Sequence, residues 1–281
     1  MQFKLEQLGQ WTADSEMAIS EEAIAAYAGA TNDDSPAAAA GRVAPPVFAI
    51  VPVWDVLQEA AEAIAPDEES RKSVVHGDQD IFITAPIEAG MTVRARAAAV
   101  GVHVKGSGTT VVLKTETRAE DDTLLNEQYV TEFYRGITGG EGGGEAAPDH
   151  RLPEEAAETA PEREITSGID EDQTYRYKEA SGDDHEIHVD PEVAKAAGLP
   201  GIIVHGLCMM AMAGRAVLES RGSDDPAAIR RLAVRFSRPM APGDELTTRI
   251  RPLGSNGAIG FDAVDGAGEV VLKDGLAELG S

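Results

Sequence analysis

Cysteine is almost absent. Cys208 stands alone among 281 residues, which excludes an intrachain disulfide framework and a multi-cysteine metal site. Lysine is scarce as well: only 7 of the 24 cationic residues are Lys, and they face 49 Asp and Glu, for a formal net charge of −25. A field of that sign repels nucleic acid and anionic membrane, so neither is expected as a partner. Nowhere do 18 apolar residues run together, which excludes an ordinary spanning helix. The first ten residues lack a basic-then-apolar signal pattern, so the expectation is a soluble, cytoplasmic protein. The acid is spread along the chain, which predicts a halophilic protein. In molar salt the screening length falls to about 3 Å and self-repulsion disappears. Ordinary acidic solubility is the competing reading.

What is present suffices for a core, since 42% of residues are hydrophobic. One stretch breaks the pattern. Gly136 to Arg163 is rich in Gly, Glu, Ala and Pro, the composition of a linker. It suggests residues 1–136 as one unit, 137–165 as an acidic Gly-rich linker, and 166–281 as a second unit.

The two units read alike. Each opens with polar residues and a short helix, followed by an Asp-rich turn (Thr31-Asn-Asp-Asp-Ser-Pro and Ser181-Gly-Asp-Asp-His), an apolar helix and then alternating strands. The apolar helices are expected from about Phe48 to Ala65 and from Gly206 to about Glu219. Pro86 and Gly90 bracket a turn at the same spacing as Pro239 and Gly243. Such repetition predicts an α+β fold made of two copies, each an antiparallel sheet wrapping one helix. The helix from Gly206 is apolar all round, with Leu207, Cys208, Met209, Met210, Met212 and Val217, and so should be buried.

Chemistry-bearing residues concentrate between Tyr177 and Gly206, where three of the six His lie: His185, His188 and His205. Asp190, before Pro191, reads as a helix N-cap. Asp183 and His188 sit in a Gly-containing turn. A carboxylate and an imidazole there can share a water and move its proton, or merely fix the loop by a mutual hydrogen bond. Gly206 opens the buried helix, so its N–H can hold an oxygen on which charge develops; it can equally serve close packing. His185 and His188 are three apart in a turn rather than four apart on a helix, so no metal site is expected.

SGDDHEIHVDPEVAKAAGLPGIIVHGLC resembles the signature of MaoC-like dehydratases, the (R)-specific enoyl-CoA hydratases, and VVHGDQ and HVKGSGT resemble their two-domain members. The resemblance implies a double hotdog fold and reversible hydration of a trans-2-enoyl-CoA to the (3R)-3-hydroxyacyl-CoA, without cofactor. It implies Asp183 and His188 as the catalytic pair and Gly206 as the thioester-carbonyl holder. Two departures stand out. His185-Glu186 replaces the family's Asn-Pro, leaving His185 as the supporting donor. In the first half Asp33 keeps the Asp position while Ala38 replaces the His, and Ala44-Pro-Pro-Val-Phe stands where a His-Gly pair would open the helix. That half is expected to be non-catalytic and to shape the acyl pocket. Lys105, Arg235 and Arg238 are candidates for binding the CoA phosphates. The halves should form an internal pseudo-dimer, with a homodimer open as a further step. A hydratase for a short branched or dicarboxylic ester such as mesaconyl-CoA shares the motif, and a non-catalytic acyl-thioester-binding module is the other alternative.

Overall fold

The computed structural model describes residues 2–71, 74–253 and 257–280. The first half contributes strands β1 (Ser15–Ala18), β2 (Val74–Ile83), β3 (Thr92–Lys105), β4 (Gly108–Ala119) and β5 (Leu124–Arg135), followed by the two-residue β6 (Gly143–Gly144). The second contributes β7 (Arg163–Gly168), β8 (Ile229–Phe236), β9 (Glu245–Leu253), β10 (Ala258–Val264) and β11 (Val270–Leu279). All belong to one sheet in the order β1-β3-β4-β5-β2-β8-β11-β10-β9-β7, with β6 beside β3. The halves join antiparallel through β2 and β8, where Asp78 faces Arg235 and Phe82 faces Arg231. Each half-sheet alone would leave a long strand unpaired, and joining satisfies both edges. This is the expected internal pseudo-dimer.

Helix Trp54–Ile64 packs on β3 and β4, and helix Gly206–Ser220 packs on β7, β8, β9 and β11. The second is buried almost throughout its length, as its apolar circumference requires. Its small residues admit the sheet: a Cβ on Gly214 would lie 2.9 Å from Leu232 Cδ2. The first helix corrects the expected span of Phe48 to Ala65. Pro46–Val53 is a 3₁₀ segment, and the α-helix runs only from Trp54 to Ile64. Pro52 lies inside the 3₁₀ segment, where its missing N–H and its ring would break an α-helix.

The turns repeat as the sequence suggests. Gly90 and Gly243 both take left-handed conformations, with φ of 86° and 82°. In each half a helix follows the first strand, Glu21–Ala30 and Gln173–Ser181, and these two helices pack on each other.

The Gly-rich segment is strapped onto the sheet. Gly143 and Gly144 pair with Val102 and Gly101, and a Cβ on Gly101 would fall 1.9 Å from the Glu145 carbonyl. Further along, His150 Nδ1 donates to the Asp274 carbonyl at 2.8 Å. Residues 163–165 already belong to β7. Among the described residues no helix is long and apolar enough to cross a membrane.

Candidate active site

Helix Gln173–Ser181 ends at Gly182, whose φ of 81° favours a residue without Cβ. The Asp183 N–H then donates to Ser181 Oγ at 3.1 Å, and the His185 N–H donates to Asp183 Oδ1 at 3.3 Å. A 3₁₀ turn, Glu186–His188, brings the imidazole back beside the carboxylate. Asp190 caps the next helix, Pro191–Ala196, accepting from Glu192 N at 2.8 Å and Val193 N at 3.2 Å. It has the structural role its sequence position suggests. The first half comes close to this loop: a Cβ on Gly182 would lie 3.8 Å from Trp54 Cδ1.

Asp183, His188 and His205 each offer an atom within 4.8 Å of the others. His188 Nδ1 donates to the Ile203 carbonyl at 2.7 Å, because a carbonyl can only accept. Its Nε2 is therefore left as an acceptor. His205 Nε2 donates to the Asp183 carbonyl at 3.2 Å, and its ring stacks on His188 with centroids 3.7 Å apart and planes 23° from parallel. Burial shapes the acid–base character of all three. It raises the Asp183 carboxyl to about 6 and lowers His188 to about 4. His205 falls to about 2, through burial and then through its proximity to His188. At neutral pH this gives a carboxylate beside two neutral imidazoles.

Gly206 begins the buried helix immediately after His205. Among the described residues no acceptor takes its N–H, so a donor at the positive end of a four-turn helix is free for a ligand oxygen. A Cβ at Gly206 would lie 2.9 Å from both Cδ1 and Cε1 of Phe236. Close packing and a free donor therefore both apply to this glycine. Phe236 in turn meets the first-half residue His76 edge-on, with ring centroids 4.7 Å apart.

Three nearby donors also invite a metal reading, which the ring geometry disfavours. A metal lies in the plane of each ligating imidazole, about 2.0–2.1 Å from its nitrogen. Stacked rings hold their planes side by side, so no such point serves both.

The remaining expected residues divide. His185 supports Asp183 through its backbone, while its ring lies 6.2 Å from that of His188. Lys105 and Arg235 come together electrostatically around Asp78, and the Arg235 Nε to Asp78 Oδ1 distance is 4.0 Å. Arg238 instead pairs with Glu269 at 2.6 Å. In the first half, buried Asp33 faces Arg215, Nε to Oδ1 3.5 Å, and Ala38 is fully buried. The Asp position that the resemblance marks as catalytic in one half holds an ion pair in the other.

Comparison with known proteins agrees with this geometry. Residues 150–273 match the MaoC like domain, and residues 40–136 match the MFE-2 hydratase 2 N-terminal domain. The 3-hydroxyacyl-thioester dehydratase Y of Mycobacterium tuberculosis is 33% identical over 214 residues, covering 73% of this chain and 72% of that protein. The chain belongs to the MaoC-like dehydratase family. A probable enoyl-CoA hydratase 2 of Dictyostelium discoideum is 28% identical over 229 residues, covering 80% of this chain and 75% of its own. Among solved structures, a MaoC-like dehydratase from Phytophthora capsici superposes with TM-score 0.84 at 25% identity, over 96% of this chain and 95% of its own. A Mycobacterium tuberculosis protein described as a double hotdog superposes with TM-score 0.58 at 15% identity, over 96% and 94% of the two chains. That last likeness concerns the fold alone, and with the continuous sheet it gives this MaoC-like dehydratase an α+β double hotdog architecture.

Sequence reasoning gave no role to His205 or Phe236. The signal for His205 was the His-Gly pair opening the buried helix. Phe236 had none, since its neighbour Gly206 is distant in sequence and adjacent only once β8 is in place.

Proposed function

We propose that this MaoC-like dehydratase reversibly hydrates trans-2-enoyl-CoA to (3R)-3-hydroxyacyl-CoA. The observation that carries the reading is a carboxylate and a neutral imidazole converging beside a free helix N-terminal N–H. Asp183 and the bare Nε2 of His188 hold one water between them. The water oxygen adds to C3 while its proton passes to the pair, and a proton from the pair is delivered to C2. The Gly206 N–H donates to the thioester oxygen, which gains charge as the double bond becomes an enolate. One O–H bond is broken, C–O and C–H bonds form, and no electrons leave the substrate.

In this reading residues 166–281 form the catalytic half and 1–136 the non-catalytic half that shapes the acyl pocket, with 137–165 connecting them. Lys105 and Arg235 are the candidates for the CoA phosphates, with Arg238 a weaker one because Glu269 already occupies it. The acidic composition supports a halophilic, cytoplasmic setting, and two chains can associate further as a homodimer. A module that only binds acyl thioesters would have no use for a carboxyl and an imidazole held reactive by burial. The test is turnover of C4 to C16 trans-2-enoyl-CoAs and of mesaconyl-CoA, with chiral analysis of the product. (3R)-3-Hydroxyacyl-CoA is expected. Tight CoA-ester binding without turnover of any of them would overturn the proposal in favour of the binding module.

A further inference from the structure

Asp183 and His188 lie on a short turn, and a turn alone does not hold an imidazole to the accuracy proton transfer needs. The hydrogen bond from His188 Nδ1 to the Ile203 carbonyl, 2.7 Å, fixes one direction in the ring plane. Rotation about that bond is blocked by a second imidazole, His205, stacked at 3.7 Å. The same residue donates from Nε2 to the Asp183 carbonyl at 3.2 Å, and it immediately precedes Gly206. Behind it the Tyr177 ring closes in, centroids 4.8 Å apart. One side chain therefore touches the backbone of the carboxylate residue and the face of the imidazole, and leads into the donor glycine.

A further observation separates this residue from ordinary core packing. With Nε2 committed as the donor, Nδ1 of His205 can only accept, and this buried nitrogen has no hydrogen-bond partner among the described residues. Burying an unpaired acceptor costs stability that an apolar ring would not.

We propose that His205 is a positioning residue for the hydration. It locks the His188 ring plane by stacking and ties that plane to the Asp183 backbone through its Nε2 donor. The inference rests on the hydratase reading above, and it adds a residue that touches neither the water nor the thioester.

The test separates the two contacts. H205F keeps a stacked ring and loses the donor; H205Q keeps a donor and loses the ring. Both are expected to lower kcat about 10- to 100-fold, the scale of a sub-ångström to ångström misplacement. KM should stay within about threefold, because His205 does not touch substrate. H205F removes the orphaned nitrogen but leaves the Asp183 carbonyl without its donor, so its melting temperature should stay close to that of the wild type. Retention of wild-type kcat by both variants, folded as judged by melting, overturns the proposal.

A measurement on the unmodified chain stands beside the variants, should both fail to fold. Nitrogen-15 NMR of the ring nitrogens is expected to give the Nε2–H tautomer for His205 and Nδ1–H for His188 at neutral pH. A His205 protonated at Nδ1 overturns the proposal by itself. Wild-type inactivity toward every enoyl-CoA would defeat the hydratase reading alone, while the tautomer result would still judge the positioning geometry.

Discussion

The hydroxyl groups of Tyr27 and Tyr177 meet at 3.1 Å in the core, between residues 150 apart in sequence. The same offset relates Asp33 to Asp183 and Ala38 to His188. It also relates Asn32 to Gly182, both at positive φ, 52° and 81°. Two residues in equivalent positions of a repeat can touch each other only at the local twofold axis. The tyrosine pair therefore marks that axis, and each tyrosine begins the stretch that leads to its half's Asp position.

Both tyrosines are fully buried, so each hydroxyl depends on the other. Tyr27→Phe or Tyr177→Phe alone strands one hydroxyl and should cost about 1–3 kcal/mol. The double Phe variant removes both polar groups and should cost less than the sum of the singles. Denaturant melts of the four proteins check this. Strict additivity would mean the pair does not interact.

Burial of Asp183 makes two opposed forecasts. Its carboxyl titrates near 6 against an ordinary 3.8, so between those values the folded chain binds the extra proton. Its contribution to stability thus falls as pH rises through that window, and the full cost is present above pH 6. Asp183→Asn should therefore stabilise the fold at pH 7, by on the order of 1–3 kcal/mol, while lowering kcat roughly 10²–10⁴-fold. In the wild type, kcat/KM should drop as pH falls below about 6, as the carboxylate takes up its proton. His188 works the other way: depressed from 6.5 to about 4, it favours the unfolded chain as pH falls below 6.5. Melting and initial-rate profiles from pH 4.5 to 8 test both signs. A less stable Asp183→Asn at pH 7 would contradict the burial argument.

Gly206 is constrained from two sides, by the donor it presents and by the Phe236 ring beside it. Gly206→Ala would put a methyl 2.9 Å from two ring atoms, and one of the groups must move. A cost of about 1–3 kcal/mol is expected for such overpacking, together with loss of turnover as the N–H shifts. Phe236→Leu in the same chain should recover part of the stability. If the alanine variant melts and turns over like the wild type, Gly206 is not tightly packed against Phe236 and the placement of its N–H does not limit the reaction.

How far the sequence revealed this arrangement differs element by element. The helix from Gly206 was legible because its apolar residues leave no polar face, and the doubled turns because Pro86/Gly90 and Pro239/Gly243 repeat a spacing. The convergence of Asp183 and His188 was legible because their motif is local, confined to one turn. The 3₁₀ segment Pro46–Val53 was hidden because its apolar run looks helical until Pro52 is given its steric weight. Residues 137–165 read as a linker, and their attachment to the sheet was hidden because its anchors are backbone groups and one imidazole, His150, which leave no mark in composition. His205 and Phe236 escaped for a related reason. Their partners lie on other segments, and only the closed sheet brings them together.

Joining of the halves through β2 and β8 predicts that neither half is self-sufficient. A chain of residues 163–281, which keeps β7 whole, would expose the β8 edge and lose the Trp54 side chain beside the Gly182 turn. It should aggregate or pair with a second copy, and turn over crotonyl-CoA at least about tenfold more slowly, given how strongly rate depends on placement. Size-exclusion chromatography with an activity assay decides. A monomeric, fully active second half would refute the need for pairing.

Salt dependence follows from charge that the fold does not neutralise. Some pairs are well sheltered, such as Arg231 with Asp80 at 2.8 Å and Arg251 with Asp262 at 2.8 Å, and screening reaches these least. The net charge of −25 is an excess of acid that the cations cannot match, and its mutual repulsion should loosen the fold in dilute buffer. The same field opposes the approach of CoA, itself multiply anionic. Raising KCl from about 0.1 M to 1 M shortens the screening length from about 10 Å to 3 Å. That removes the long-range repulsion while close contacts, such as those of Lys105 and Arg235 with a phosphate, survive better. Melting temperature and kcat/KM should therefore both rise toward molar KCl. A melting temperature indifferent to KCl, with activity highest in dilute buffer, would defeat the halophilic reading and leave the chemistry of Asp183, His188 and Gly206 untouched.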